Sequence, residues 1–461
     1  MKKAEDGQNI EQSSLCLADN SRVAVIGGGP AGSFFSYFLL ALAERVGLEI
    51  YVDIFESRDF VQAGPPGCNM CGGIVSESLV QTLATEGIEL PPTVIQRSID
   101  SYLLHMDVGS VKIETPLREK RIGAVHRGAG PRGLKERKWE TFDGFLLGLA
   151  EKKGAHRVSG RVEEIRWEGG RPVVKIRGGQ PERYDLLAAA VGVNSPSLKL
   201  FEGLEVGYIP PGTTKTYICE YALGGTTLED YLGSSMHTFL LNVSRLEFAA
   251  LIPKGEYATV CMLGKKIDKR LVQAFMQTTE VRRCFPPEWD HERDACRCMP
   301  KINIKGSKHP FGDRLVFIGD CGISRLYKDG IGAAYKTAKA AATSAVFQGI
   351  SGADFKVRFW PACRKLERDN RIGKMVFSSI GLIQHFRFAR RAILRTVSVE
   401  QKNEKGPRHL STALWDMFTG SAPYREVLMR MIHPFFLGRF FWSLLVEIWP
   451  FRSKNPAVEE L

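Results

Sequence analysis

Three glycines at GxGxxG spacing limit what this chain can fold into more than any other feature. They lie in VAVIGGGPAGSFFSYFLL, Val23 to Leu40, between an apolar run and a run of helical periodicity. Arg22 to Ile26 reads as a buried parallel strand, and Ala31 to Arg45 as an amphipathic helix. Gly27 permits the tight turn, Gly29 lets backbone approach a pyrophosphate, and Gly32 lets helix and strand pack closely. Free N–H groups at the helix start then face phosphate oxygens. A second strand, Ile50 to Phe55, ends in Glu56, an acid placed to accept from ribose hydroxyls. Arg58, two residues on, joins the candidate binding set. An ordinary βαβ turn is the competing reading; strand, glycines, helix, strand and acid together favour a dinucleotide site.

The rest of the chain bounds the setting. With 461 residues, 44% hydrophobic, it can bury a large core, and its length suggests about three domains. Residues 1–20 are polar, lack an apolar core segment, and are expected to be disordered rather than a secretory signal. Ten cysteines without a regular framework fit a reducing, cytoplasmic setting. The formal charge is +12, and from Lys356 onward there are 19 Lys/Arg against 9 Asp/Glu, so the excess sits in the last quarter. No stretch is long enough and apolar enough to read as a transmembrane helix.

A distant segment separates FAD from other dinucleotides. RLVFIGDCGISRLYKDGIGAAYKTAKAAATSAV, Arg314 to Val346, reads as a strand, then Gly319-Asp320, a loop, and Gly330-Ile331-Gly332 opening an alanine-rich helix. It resembles the second FAD-binding motif of glutathione-reductase-type flavoproteins. That resemblance implies that Asp320 bonds the ribityl chain and that the helix start stabilises negative charge at the flavin pyrimidine edge. RYDLLAAAVGVNSPSLK, Arg183 to Lys199, resembles the Asp-Gly segment of flavin monooxygenases, with Val191 in place of the Asp and Ala190, Gly192 and Ser195 matching. Upstream, FDGFLLGLAEKKGAHRVSGRVEEI reads as a helix ended by Gly154 and a strand returning to the FAD domain.

The sharper resemblance is to geranylgeranyl reductases, flavoenzymes that saturate isoprenoid chains. Cys71-Gly72-Gly73, within GPPGCNMCGGIVSESLV, matches that family's Cys-Gly-Gly loop near the flavin. EFAALIPKGEYATVCMLG aligns with its pocket segment: Phe248, Pro253, Lys254 and Gly255 fit, Ala250 stands for Trp and Ile252 for Phe. Gly319 through Gly332 keeps the family spacing, with Tyr327 for the usual Pro. The likeness runs from Arg22 to Phe347. It implies FAD held by Gly27, Gly29, Gly32, Glu56, Arg58, Gly72, Gly73, Gly319, Asp320, Gly330 and Gly332. It also implies a substrate slot of Phe248, Ala250, Ile252 and Pro253, wider where Ala250 replaces Trp.

Reduction of an isolated C=C needs a dry slot, tight positioning and an acid. Cys71 is the candidate, either shaping the slot or donating the proton. Cys68 and Cys71 also form a CxxC, which leaves a redox disulfide as an alternative. Cys284, His291, Cys296 and Cys298 have poor spacing for zinc, and no metal is expected.

Beyond the FAD helix, WPACRKLERDNRIGKMVFSSIGLIQHFRFARRAILRTV reads as two helices with Arg387, Arg390, Arg391 and Arg395 clustered beside Phe386, Phe388 and Ile393. YREVLMRMI and the aromatic segment His433 to Phe451 follow, with Trp442 and Trp449 suited to a headgroup boundary and Arg439 able to snorkel. The tail reads as a membrane-lying surface, or as a helical cap over the cleft; the two are compatible. Aromatic and aliphatic bulk argues against nucleic acid.

The expected fold is α/β: an interrupted FAD-binding Rossmann-type domain, an inserted mixed-sheet substrate domain and a C-terminal helical region. The expected boundaries are 21–100, 136–200 and 306–350 for the FAD domain, 101–135 and 201–305 for the substrate domain, and 351–461 for the helical region. The expected activity is FAD-dependent reduction of C=C bonds in an isoprenoid or similar lipid at the inner face of the cell membrane. A monooxygenase or halogenase, and an electron-transfer subunit passing electrons to a quinone or a protein, are the alternatives. The chain lacks a second GxGxxG unit, and NAD(P)H, ferredoxin or a quinol remain open as electron donor.

Overall fold

The computed structural model describes residues 13–64, 71–115, 122–131, 137–292, 296–403 and 406–448. Its first sheet has six strands. Ser21–Ile26 lies between Leu186–Ala189 and Ile50–Phe55, with His156–Val158 beyond the latter and Leu315–Phe317 beyond the former. All five are parallel, and the short antiparallel strand Phe311–Gly312 closes one edge. Val23 and Val25 enter one core; Ala24 and Ile26 enter another on the opposite face. Burial on both faces is why this strand is apolar throughout rather than alternating.

One face is covered by the glycine-loop helix, Pro30–Arg45, and the alanine-rich helix, Gly330–Phe347. Tyr335 meets Phe34 and Phe38 edge-on, with ring centroids 5.8 and 5.5 Å apart. The other face packs against Tyr184, Phe201 and Tyr208 and a small antiparallel sheet.

The second sheet has seven strands, in the order Cys296–Cys298, Tyr217–Ala222, Tyr257–Gly264, Leu246–Lys254, Ser235–Phe239, Ser101–Met106, Gly109–Glu114. Only Ser235–Phe239 and Ser101–Met106 pair in parallel. Strand alternation divides Leu246–Lys254. Phe248, Ala250 and Ile252 join a core with Trp415 and Phe418, while Ala249 and Leu251 face the helix Lys269–Met276.

The helices Phe359–His385, Arg387–Lys402, His409–Thr419, Tyr424–Met431 and Pro434–Ile448 follow. His409–Thr419 was not anticipated; it carries Trp415, which is fully buried, meets the Tyr102 ring at 4.8 Å, and donates its Nε1–H to Glu77 at 2.9 Å. Arg325 ties this region to the alanine-rich helix. It donates to the Gly420 and Ala422 carbonyls and pairs with Asp329 at 3.6 Å.

The expected arginine cluster is not a single basic surface. Arg390 is buried and pairs with Asp107 at 2.6 Å, Arg395 lies 3.7 Å from Glu447, and Ile393 is in the core. A buried guanidinium requires a partner, and the partner pulled Arg390 inward. Among the described residues no single helix is long and apolar enough to cross a membrane; Tyr424–Met431 and Pro434–Ile448 together reach that length but are bent by 59°.

Replacing Trp415 with Ala should lower unfolding free energy by about 3–5 kcal/mol in urea titrations. Trp415→Phe should cost less, because it keeps the ring contact and forfeits only the Glu77 bond.

Candidate cofactor and substrate site

At the carboxyl ends of the parallel strands, a cleft of about 590 Å³ runs from the glycine loop to the seven-stranded sheet. Its first end is built by backbone. Gly27 has φ +107°, and a Cβ there would sit 2.7 Å from the Ala190 carbonyl oxygen. A Cβ on Gly32 would collide with the Gly27 carbonyl. Gly29, by contrast, has only Asp143 near its Cβ position, at 3.9 Å, and lines the cleft at the helix start. The two roles separate: Gly27 and Gly32 shape the turn, and Gly29 leaves room for a ligand.

Glu56 is fixed at the cleft wall. Its Oε2 accepts from the Gly28 N–H and its Oε1 from the Arg58 N–H, both at 2.9 Å. Arg58 lines the same wall. Arg127 also lines the cleft, in a two-pronged pair with buried Asp143, at 2.9 and 2.7 Å. Burial opposes its charge, but Asp143, with Cys71 and Asp320 beyond, raises the Arg127 pKa above its ordinary value.

The Gly319-Asp320 turn delivers Asp320 to the cleft. Burial raises its pKa, against a hydrogen bond from Ser324 and the nearby Arg127 charge. Asn303 donates to the Asp320 carbonyl at 2.8 Å, while its own Oδ1 is buried without a protein partner beside the cleft. Asp329 caps the alanine-rich helix from a left-handed conformation, accepting from the Gly332 N–H at 3.0 Å.

The far end is apolar. Phe248, Ala250, Ile252, Met236, Tyr327 and Phe418 line it. The Cys71-Gly72-Gly73 segment lies across this face. A Cβ on Gly72 would stand 3.0 Å from Cys261 Sγ and 3.3 Å from Ile252. Gly73 has φ +75°; a side chain there would collide with the Val125 carbonyl and come within 2.9 Å of Lys254 Nζ. Lys254 is held below by Glu220 at 3.1 Å, which His126 also approaches at 3.4 Å. Burial would raise the Glu220 pKa, but Lys254 and His126 hold it well below the usual carboxylate range. Cys71 lines the cleft, and its Sγ accepts from the Gly73 N–H at 3.3 Å.

One cation stands in this apolar end. Lys328 Nζ lies 3.9 Å above the Phe248 ring, and no carboxylate pairs with it among the described residues. Burial pushes its pKa down to about 8, slightly opposed by Cys261, whose own thiol burial pushes up to about 12.

The cleft thus gathers Gly27, Gly29, Glu56, Arg58, Cys71, Gly72, Gly73, Asp320, Gly330, Phe248, Ala250 and Ile252. Four expected residues stand apart. Pro253 pairs with Ala258 on the strand's other face, because strand alternation turns it away from Ile252. Gly32, Gly319 and Gly332 are packing glycines: Gly319 would put a Cβ 2.6 Å from that of Ala31, and Gly332 would strike the Asp329 carboxylate. Cys68 lies outside the described residues. Cys284 is not joined by His291, Cys296 or Cys298; it meets His105 and His237 instead. Arg127, Cys261, Lys328 and Phe418 were missed. Lys328 sits inside the Gly319–Gly332 segment and Phe418 in a run of helical periodicity, so both had a signal; Arg127 had none.

No family model matches the chain. Geranylgeranyl diphosphate reductase of Synechocystis sp. is 33% identical over 145 residues. That stretch is 31% of this chain and 29% of the relative, so the chain matches less than a third of that protein's length. Among solved structures, a flavoprotein/dehydrogenase from Cytophaga hutchinsonii superposes with a TM-score of 0.60 at 13% identity, over 93% of this chain and all of that one. The halogenase PltM, solved with phloroglucinol and FAD, gives 0.55 at 14% identity over 93% and 91%. HpxO of Klebsiella pneumoniae, complexed with FAD, gives 0.53 at 14% over 88% and 100%.

The chain has the fold of FAD-dependent oxidoreductases. Its own residues fit that cofactor: a side-chain-free approach at Gly29, a carboxylate pinned at Glu56, and an unsatisfied acceptor on Asn303.

Gly29→Val should fold with thermal stability near that of the parent, because its Cβ has open space and ordinary φ, yet lose flavin affinity by 100-fold or more, on the order of 3 kcal/mol. Gly32→Ala should instead yield little folded protein. Flavin titration by fluorescence, with circular dichroism alongside, distinguishes the two.

Proposed function

We propose that the protein is an FAD-dependent reductase that saturates carbon–carbon double bonds of an isoprenoid or similar lipid-like substrate. The observation that carries this reading is the apolar chamber of Phe248, Ala250, Ile252 and Phe418 opening from the dinucleotide cleft, with one ammonium inside it. The match to geranylgeranyl diphosphate reductase supports it. When bound, FAD would supply the hydride-transfer chemistry, and Gly29, Glu56, Arg58 and Asp320 are the residues that would hold it.

The chain's residues supply the rest. Ile252 and Phe248 form a wall against which an apolar chain is held, and Ala250 leaves room beside them. Phe418, from the Trp415 helix, helps exclude water, which a hydride-accepting carbon requires. The proton needed at the second carbon comes from Lys328: an ammonium in a dry chamber with a pKa near working pH is a suited general acid. Cys71 shapes the slot from the loop side.

The helix Pro434–Ile448 lies on the membrane face in this reading. It buries Phe436 and Ser443 and projects Phe435, 74% exposed, and Trp442, 66% exposed, with Leu445 and Ile448. Aromatic and aliphatic projections with a nearby Arg439 suit an interfacial helix. Trp449 lies outside the described residues. This surface brings a lipid substrate to the cleft at the cytoplasmic side of a membrane.

Anaerobic single turnover of reduced protein with an unsaturated prenyl lipid should give product two mass units heavier; incorporation of oxygen or halide in aerobic turnover, without hydrogenation, would overturn the reading. Lys328→Met should slow that turnover roughly 10²–10⁴-fold. In the parent, the rate should fall as pH rises through about 8, where the ammonium is lost, and this limb should vanish in the variant. Phe435→Glu with Trp442→Glu should abolish flotation with anionic vesicles while leaving the melting temperature unchanged.

A further inference from the structure

The face of the seven-stranded sheet turned away from the cleft carries a cluster that the proposed reduction does not use. His105 lies in Ser101–Met106 and His237 in Ser235–Phe239, two adjacent parallel strands. His105 is in register with Phe239, two residues past His237, so both imidazoles leave the same face. Cys284, just beyond the short helix Thr279–Arg282, comes down onto them. All three side chains are buried, and their facing atoms lie within 4.8 Å of one another. His105 Nε2 is 3.0 Å from His237 Nδ1, and Cys284 Sγ is 3.3 Å from the same nitrogen.

The outer edges of both rings are already held. His105 Nδ1 bonds Ser110 Oγ at 2.8 Å, and His237 bonds the Leu232 backbone. Partners of this kind fix the orientation of imidazoles that act as ligands. Burial keeps both rings neutral, at about 3 for His105 and about 4 for His237. With its proton committed to Leu232, His237 offers a single lone pair at Nδ1; His105 Nε2 and Cys284 Sγ both face it, and the thiol also donates to the Glu280 carbonyl at 3.4 Å. A cation among the three atoms would let each give its own lone pair. In a trigonal arrangement, bonds of about 2.0 Å to nitrogen and 2.3 Å to sulfur put such ligands roughly 3.5–3.7 Å apart, wider by about half an ångström than the two separations to His237 Nδ1.

Charge selects the ion. The cluster holds no carboxylate, and its surroundings are apolar: Phe239 stacks on His105 at 4.8 Å and Phe275 meets Phe239. One thiolate balances one positive charge. A divalent ion would leave a net charge buried without a partner, which is costly. Soft sulfur and imidazole donors suit a soft ion.

We propose that His105, His237 and Cys284 form a buried three-coordinate site for a thiophilic d¹⁰ cation, Cu(I) in preference to Zn(II). Binding releases the Cys284 thiol proton to solvent and changes no oxidation state. The ion clamps the two strands to the segment after Thr279–Arg282, on the sheet that carries the substrate wall on its other face.

The test is metal analysis of the flavin-loaded full chain, produced with copper or zinc supplied during folding. The expected result is one equivalent of Cu(I) retained against a competing chelator, with X-ray absorption showing one sulfur and two nitrogen neighbours. Cys284→Ser should lose the ion at least 100-fold more readily, while Cys296→Ser should keep it. The absorption spectrum of the parent decides the matter even where Cys284→Ser folds poorly. Folded parent retaining neither ion, or retention unchanged in Cys284→Ser, overturns the site. Stoichiometric zinc with no Cu(I) overturns the choice of ion. Flavin content, read in the same samples, reports separately on the cleft.

Discussion

Close packing at a few glycines governs the whole cleft. Gly27 lies against Ala190, Gly32 against Gly27, and Gly319 against Ala31. These contacts bring the first strand, the strand Leu186–Ala189 and the two covering helices together so closely that no side chain fits between them. The turn that results leaves Gly29 bare and sets Glu56 beside it. The same device recurs at the other end, where Gly73 lies over the Val125 carbonyl and the buried Lys254–Glu220 pair. One end thereby fits phosphate and ribose, and the other is lined by apolar side chains.

The second end depends on charges that the fold cannot leave bare. Glu220 and Lys254 neutralise one another under the Cys-Gly-Gly loop, and His126 takes a further position on the carboxylate. Truncating one member would strand the other in low dielectric, so the pair fixes loop position more than it adds stability. Lys328 differs: it has aromatic and thiol neighbours but no counter-charge among the described residues. A lone ammonium held against a desolvation penalty is the kind of group the proposed proton transfer requires.

Much of this arrangement was legible in the residues. The strand Ile50–Phe55, the helix from Gly330 and the helix ending before Gly154 fall where periodicity and glycine placement put them. Local rules suffice there, because the strand is a largely buried apolar run and each helix is bounded by a side-chain cap. Cleft residues within motifs were equally readable. What escaped is non-local. Arg127 enters through its pairing with Asp143, sixteen residues away, and no spacing rule announces that. Pro253 was assigned through its match to the pocket segment, whereas strand alternation turns it to the face opposite Ile252. Cys284 was grouped with cysteines near it in sequence, but the parallel pairing of two distant strands supplies its neighbours. The helix His409–Thr419 lay in a stretch left unread, and it proved to cover the apolar end.

The account stands on a cleft shaped for FAD, and the visible spectrum of the purified chain tests that most directly. Folded protein reconstituted with FAD should be yellow, with flavin absorbance bands and one equivalent of noncovalent FAD released on denaturation. Folded protein that stays colourless under the same treatment would contradict it.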